Sequence, residues 1–351
     1  MKDIFAQRLR NARIMKGLSL DNLCEEIGHI VSKQTINKYE HGTILPSSNV
    51  LLSLSKALSL NIDYFFRPFT YSISNIEFRK NTLLPKKVEN SVREKIKYKV
   101  EKYCEIEEIL SINEDFVNPI KDFKINTDGD VVKVVNKLKD VWQLGYDGIC
   151  DIINVLEEHN IIVIDIPAEV KKFDGISAYV SNGKPIICVN SNANAERMRF
   201  TILHELGHIL LNLDKKFTHK QEEYLCNLFA NEMLISGKVF KNLIGNKRHD
   251  ISAKELQAIQ IQFGISIDAL MYKAKYMNII SENRYKYYNI KKQQSPALKK
   301  LVEQSLINKE PISRYSRLIY KALSSDLITF SKASYFLEYS VEQIHHELNL
   351  V

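Results

Sequence analysis

Two histidines four residues apart, His204 and His208, with Glu205 between them, constrain this chain of 351 residues more than any other feature. On a helix, positions i and i+4 lie on one face, so both imidazoles can reach a single cation while Glu205 projects beside them. The pattern carries chemistry only in a helical context. The sequence supplies one: Arg197-Met198-Arg199-Phe200-Thr201-Ile202-Leu203 leads in, and Ile209-Leu210-Leu211 continues the apolar face. Zn²⁺ suits these donors, being a Lewis acid without redox chemistry that lowers the pKa of a bound water enough for attack on a carbonyl. The neighbouring Glu205 can then take that water's proton and deliver it to the leaving amine. Gly207 costs roughly 1 kcal/mol relative to alanine inside a helix, which makes sense if another backbone packs closely against the motif.

A catalytic zinc takes a third protein ligand and keeps one position open. Residues 221–230 predict a second helix with Leu225, Leu228 and Phe229 on its apolar side, and there Glu223 and Asn227 share a face. Glu223 is the favoured third ligand, with His219 and Glu222 competing for the role. Asn227 is placed to hydrogen-bond a zinc-bound imidazole. Tyr224 and His219 are candidates for stabilising the oxyanion of a tetrahedral intermediate. Arg197 and Arg199 flank the motif, where a surface salt bridge is the expectation.

The chain before the motif changes period twice. Residues 86–110 hold no Gly or Pro and space Val88, Val92, Ile96, Val100, Tyr103 and Leu110 close to heptads, which predicts a long surface or linker helix. Residues 118–130 are polar and read as a loop, and 131–144 and 148–159 as helices. Apolar runs at 161–166, 175–180 and 185–190 then predict three strands, the last two forming a hairpin through Ser181-Asn182-Gly183. From Glu196 onward the pattern returns to helix. The fold class expected is α+β.

The first 66 residues carry a different signature. Residues 19–28 form a short capped helix ending in Gly28, and Ser32 caps a second one, Lys33-Gln34-Thr35-Ile36-Asn37-Lys38-Tyr39-Glu40, that stops at Gly42. Two such helices between longer ones make a helix-turn-helix within a five-helix domain. Ile36 faces the interior, while Lys33, Gln34, Thr35, Asn37 and Lys38 are the candidate DNA contacts. Amide side chains read adenine edges, and Lys and Thr hold phosphates.

Two resemblances rest on these segments. The run "VSKQTINKYEHGTILPSSNVLLSLSKALSLNIDYFF" resembles the XRE-type (Cro/repressor-like) helix-turn-helix family, with Leu20 where such repressors commonly place a phosphate-clamping Gln and a longer turn before Ser32. The runs "GISAYVSNGKPIICVNSNANAERMRFTILHELGHILLNL", "EEYLCNLFANEMLIS" and "FGISIDALMYKAKYMNII" resemble the ImmA/IrrE family of zinc metallopeptidases. That second resemblance implies a zincin-like core with Zn²⁺ on His204, His208 and Glu223, Glu205 as catalytic acid/base, and a repressor-like protein substrate. The expected organisation is a helix-turn-helix domain over 1–68, a linker with a long helix over 69–130, a zinc metallopeptidase domain over 131–280 and a helical C-terminal region over 281–351.

Charge and cysteines bound the rest. The chain has 49 Lys+Arg against 42 Asp+Glu, a net +7 that permits contact with nucleic acid without arguing for it. No apolar run approaches the roughly 18 residues of a membrane span, and the N-terminus lacks a signal-peptide pattern. Five scattered cysteines read as reduced thiols, so a cytoplasmic protein with no membrane partner is expected. The function expected is a DNA-binding transcriptional regulator, a homodimer on a double-stranded operator, with zinc-dependent endopeptidase activity. The alternatives are a regulator whose zinc site is structural or sensory, and a prophage-type regulator acting through protein contact.

Overall fold

The computed structural model describes residues 2–69, 85–112, 114–167 and 173–348. The N-terminal part is helical: α1 (Lys2–Met15), α2 (Leu20–Glu26), α3 (Lys33–Glu40) and α4 (Ser48–Leu58), closed by a 3₁₀ turn at Ile62–Phe66 in place of a fifth α-helix. Ser19 caps α2 and Ser32 caps α3, each side chain accepting from a backbone N–H three residues on. Phe5, Leu9, Leu23, Ile36, Leu54 and Phe65 close one small core. Helix α5 (Lys86–Ile109) follows.

Next come β1 (Lys124–Ile125), α6 (Asp128–Val141), α7 (Ile152–Glu158), β2 (Ile162–Ile166), β3 (Gly175–Tyr179), β4 (Pro185–Asn190), α8 (Ala195–Leu210), β5 (Asn212–Leu213) and α9 (His219–Leu234). Helices α10 (Gly237–Ile244), α11 (Ala253–Phe263), α12 (Ile267–Tyr276), α13 (Glu282–Gln294), α14 (Pro296–Glu303), α15 (Arg314–Ser324), α16 (Phe330–Leu337) and α17 (Val341–Leu348) complete the described chain. The fold is α+β as expected, and the three strands and their hairpin stand where the apolar runs put them. Gly183, at φ 84°, supplies the left-handed residue that the turn between β3 and β4 needs.

The main sheet has the order β2-β4-β3, with β2 parallel and β3 antiparallel to β4. Strand β4 is buried along its whole length because both faces of the sheet are covered. One face, with Val163, Ile187 and Val189, joins a core that includes Ile202, Leu206, Phe229 and Phe263. The other, with Ile162, Ile164, Ile176, Ala178, Ile186 and Cys188, joins a core built with α5 and α15–α17.

Two expectations are corrected here. Helix α5 is a core helix and not a surface linker: Val92, Ile96, Val100, Tyr103 and Ile106 are buried, and Lys99 Nζ donates to Asp165 of β2 at 2.9 Å. The interval 118–130 is more than a loop, because β1 pairs in parallel with β5 and Thr127 caps α6 by a capping box with Asp130. Two-residue strands have no period to read, which is why that pairing escapes the sequence.

Helix α1 packs on α5 and joins the N-terminal core to the rest. Arg8 donates to Glu101 at 2.7 Å and to the carbonyls of Arg67 and Pro68, and Ser91 Oγ donates to the Met15 carbonyl at 2.6 Å. Among the described residues no helix is long and apolar enough to cross a membrane. The five cysteines are free thiols, four of them buried.

The role of the C-terminal helices follows from the two-sided sheet: they cover a hydrophobic face that would otherwise meet water. Ile319 of α15 is wholly buried in that layer. Ile319→Ala is expected to cost about 2–5 kcal/mol, the range for a large buried side chain replaced by alanine, read as a lower urea midpoint at unchanged slope. A loss below about 0.5 kcal/mol, the size of a surface substitution, would contradict this assignment.

Candidate metal centre and nucleic-acid face

Helix α8 begins at Asn194, whose side chain accepts from Arg197 N at 2.9 Å, and crosses the sheet face with Ile202, Leu203 and Leu206 inward. Its approach to the neighbouring elements is set by two glycines. A Cβ at Gly175 would stand 2.5 Å from Thr201 Cγ2 and 3.0 Å from the Cys188 carbonyl, so β3 can come this near only without a side chain there. A Cβ at Gly207 would stand 3.2 Å from Phe229 Cδ1 and 3.4 Å from Cys226 Cα, so the close backbone expected against the motif is that of α9.

These approaches bring three donors together. His204 Nε2 lies 3.2 Å from one Glu223 carboxylate oxygen, His208 Nε2 lies 3.2 Å from the other, and the two Nε2 atoms are 3.0 Å apart. His204, His208 and Glu223 form the cluster of metal-capable groups among the described residues, its donor atoms all within 4.8 Å. Glu222 and His219 stand outside it. His219 Nε2 is 3.8 Å from Glu223 and its Nδ1 is 3.9 Å from Glu222. Burial pushes the Glu223 carboxyl up, but its contacts with His204 and His208 outweigh it and hold the group below the usual carboxylate range.

The donor set fits Zn²⁺. Bonds of about 2.0–2.2 Å in a tetrahedron separate ligand atoms by roughly 3.3–3.6 Å, close to the spacings found here. Two imidazole Nε2 atoms turned toward each other and toward a carboxylate present lone pairs to one point, an arrangement that a cation satisfies.

The far side of each ring is held as well. His204 Nδ1 is 3.0 Å from Asn227 Oδ1, so the amide oxygen accepts the Nδ1 proton and the Nε2 lone pair faces the cluster. His208 Nδ1 is 2.9 Å from Cys226 Sγ, a contact the sequence did not disclose, since Cys226 reads simply as one of five buried thiols. Glu205 is buried, and its Oε2 accepts from Ser177 Oγ of β3 at 2.7 Å. Ser177 also escaped sequence reasoning. Its only signal is strand alternation, which sets it two residues from Gly175 on the face that meets α8.

Other expected residues lie elsewhere. Tyr224 donates its hydroxyl to Asp128 Oδ2 at 2.6 Å, away from the three donors; burial and that carboxylate raise its pKa. Arg197 forms an exposed ion pair with Asp174 at 2.8 Å. Arg199 is buried against Glu310 and the Ile149 carbonyl, a structural pair and not the surface salt bridge expected.

The helix-turn-helix is a separate face. Arg13 Nε donates to Glu40 at 2.6 Å, fixing α3 to α1, and Ile36 is fully buried. Lys33, Gln34, Asn37 and Lys38 are exposed on α3, whereas Thr35 is half-buried with its hydroxyl 3.0 Å from Ser32 Oγ. Lys33 is bridged to Asp21 of α2 at 2.7 Å. The longer turn before Ser32 is accommodated by left-handed residues at Gly28 and His29.

Comparison with known proteins agrees with both halves of this arrangement. Residues 156–275 match the peptidase M78 family, described as the IrrE N-terminal-like domain, and residues 9–65 match the helix-turn-helix family HTH_3. No curated protein matches the chain. Two solved structures cover 100% of this chain and 99% of their own. They are the apo form of ComR from S. thermophilus at 13% identity and PlcR from Bacillus thuringiensis with the peptide PapR7 and DNA at 15%. Both give a TM-score of 0.18, and neither bears on the function of this chain.

Proposed function

We propose, from a chain that joins a helix-turn-helix segment to an IrrE-like segment, a DNA-binding transcriptional regulator that is also a zinc-dependent endopeptidase acting on a repressor-like protein. The observation that carries the reading is the convergence of His204, His208 and Glu223 beside a Glu205 that takes no part in the cluster. A site that only stabilised the fold would need three or four ligands and no adjacent carboxylate.

His204, His208 and Glu223 hold the zinc. When bound, it supplies Lewis acidity and an acidified water. Asn227 and Cys226 fix the two imidazole orientations from behind. Ser177 holds Glu205 Oε2, which leaves Oε1 to take a proton from the attacking water and return it to the leaving amine. His219, half-exposed next to Glu223, is better placed than Tyr224 to meet the developing oxyanion, because the Tyr224 hydroxyl is engaged by Asp128.

An extended substrate pairs with a sheet edge. Strand β3 is an edge, and β4, in the middle of the order, is not. The substrate therefore runs along Gly175–Tyr179, the strand that also carries Ser177. The helix-turn-helix delivers this site to an operator, where its effective concentration near other DNA-bound proteins is high. An operator with two half-sites is read by a homodimer.

The purified chain is expected to hold about one zinc, as a single three-ligand site implies, and His208→Ala to lose it by metal analysis. Glu205→Gln keeps the metal and slows cleavage of a co-produced repressor-like protein by about 10²–10⁴-fold, the usual contribution of a positioned acid/base. Identical fragments from wild type and Glu205→Gln would replace the enzyme by a metal-stabilised regulator.

For DNA, Gln34→Ala and Asn37→Ala should each cost about 1–3 kcal/mol of discrimination between operator and altered sites. Lys38→Ala should weaken binding to all sequences and flatten the salt dependence by about one counterion. Equal affinity of the wild-type chain for operator and random duplex would contradict specific reading.

A further inference from the structure

A cavity of about 280 Å³ opens between α8, α9 and α12, and Asn227, which holds His204, stands in its wall. Four aromatic rings, those of Phe200, Tyr224, Tyr272 and Tyr276, form most of it, with Leu228 and Ala269 between them.

Most of its polar groups are already committed. The Tyr224 and Tyr276 hydroxyls both donate to Asp128 Oδ2, at 2.6 and 3.0 Å, which turns the two rings and not their oxygens toward the space. Lys273 Nζ is spent on Glu232 and on Asn231 Oδ1, at 2.5 and 2.9 Å. The Asn227 oxygen is held by His204. A charged side chain entering here would lose its water and meet no unpaired opposite charge, since Lys273 is held by Glu232, whereas an apolar one would meet ring faces and aliphatic carbon.

We propose that this cavity receives one large apolar side chain of the substrate protein, of the leucine, methionine or phenylalanine class, and so selects the bond that is cut. The proposal rests on the peptidase reading, because it assigns the cavity a place beside the scissile bond. The volume admits a whole phenylalanine side chain, and the Tyr272–Tyr276 rim on α12 determines what enters. Tyr272 is 37% exposed, so a substitution there changes the mouth of the cavity without opening the core. The Asp128 tie acts at a distance, keeping Tyr224 and Tyr276 as walls.

The test uses zinc-loaded full-length protein and isothermal titration calorimetry with five hydroxamates: acetohydroxamate, which offers the chelating group alone, and four bearing a leucine, phenylalanine, lysine or aspartate side chain. In wild type the leucine and phenylalanine compounds should bind at least about tenfold tighter than the lysine and aspartate compounds, the discrimination expected of an apolar pocket. Tyr272→Glu should reverse the ratio of leucine to lysine compounds, and Ala269→Phe, which fills the space, should lower the ratio of phenylalanine compound to acetohydroxamate by about tenfold. Side-chain compounds that bind alike in wild type, or ratios that neither variant moves, overturn the cavity's role while leaving the metal site standing. Failure of acetohydroxamate itself to bind overturns the metal-centre reading, and the cavity proposal with it.

Discussion

Helix α8 lies so close to strand β3 on one side and helix α9 on the other that Gly175 has no room for a side chain and a Cβ at Gly207 would press on Phe229. That double approach is what makes a centre out of scattered residues. The α8–α9 crossing carries Glu223 to the two imidazoles and Asn227 and Cys226 to their far nitrogens. The α8–β3 approach carries Ser177 to Glu205. A helix in the middle of a close-packed interior cannot shift by an ångström without disturbing neighbours on every side, so positions fixed by packing also fix the chemistry. The cost is paid in helix propensity at Gly207, where the motif accepts roughly 1 kcal/mol against alanine.

What the sequence made legible was local. The His204–His208 spacing, the helical context of residues 196–211, the Ile- and Val-rich strands, and the Ser caps of α2 and α3 are short-range patterns with direct physical readings. Glu223 was favoured as third ligand because it lies on a helix nearby, an argument His219 and Glu222 shared; of the three, Glu223 is the one whose donor atom lies with those of His204 and His208. Cys226 and Ser177 were not legible as partners of His208 and Glu205, because each contact joins elements whose separation in the chain carries no period.

Helix α5 shows a different failure. Its apolar stripe was legible, but a stripe alone does not say what covers it, and here the cover is a sheet. A better signal was in β4, where Pro185-Ile186-Ile187-Cys188-Val189 is apolar at alternate and intervening positions alike. Such a run belongs to a strand buried on both faces, so a second layer of helices was implied before any of its members was identified. The C-terminal helices α15–α17 then have a reason to exist that their own sequences do not state.

The two halves of the molecule meet on that same α5. Arg8 of α1 holds Glu101, while Lys99 on the same helix reaches Asp165 of β2. One element therefore touches the helix-turn-helix and the sheet that carries Ser177, and the outer face of α3 remains exposed. The central claim is that the metal is held by two imidazoles and one carboxylate, with the Cys226 thiol orienting His208 from outside. X-ray absorption at the zinc edge of the reconstituted full-length chain tests it most directly. The account predicts nitrogen and oxygen neighbours alone, at about 2.0–2.2 Å, with scattering from two imidazole rings. A sulfur neighbour at about 2.3 Å would make Cys226 a ligand and contradict it.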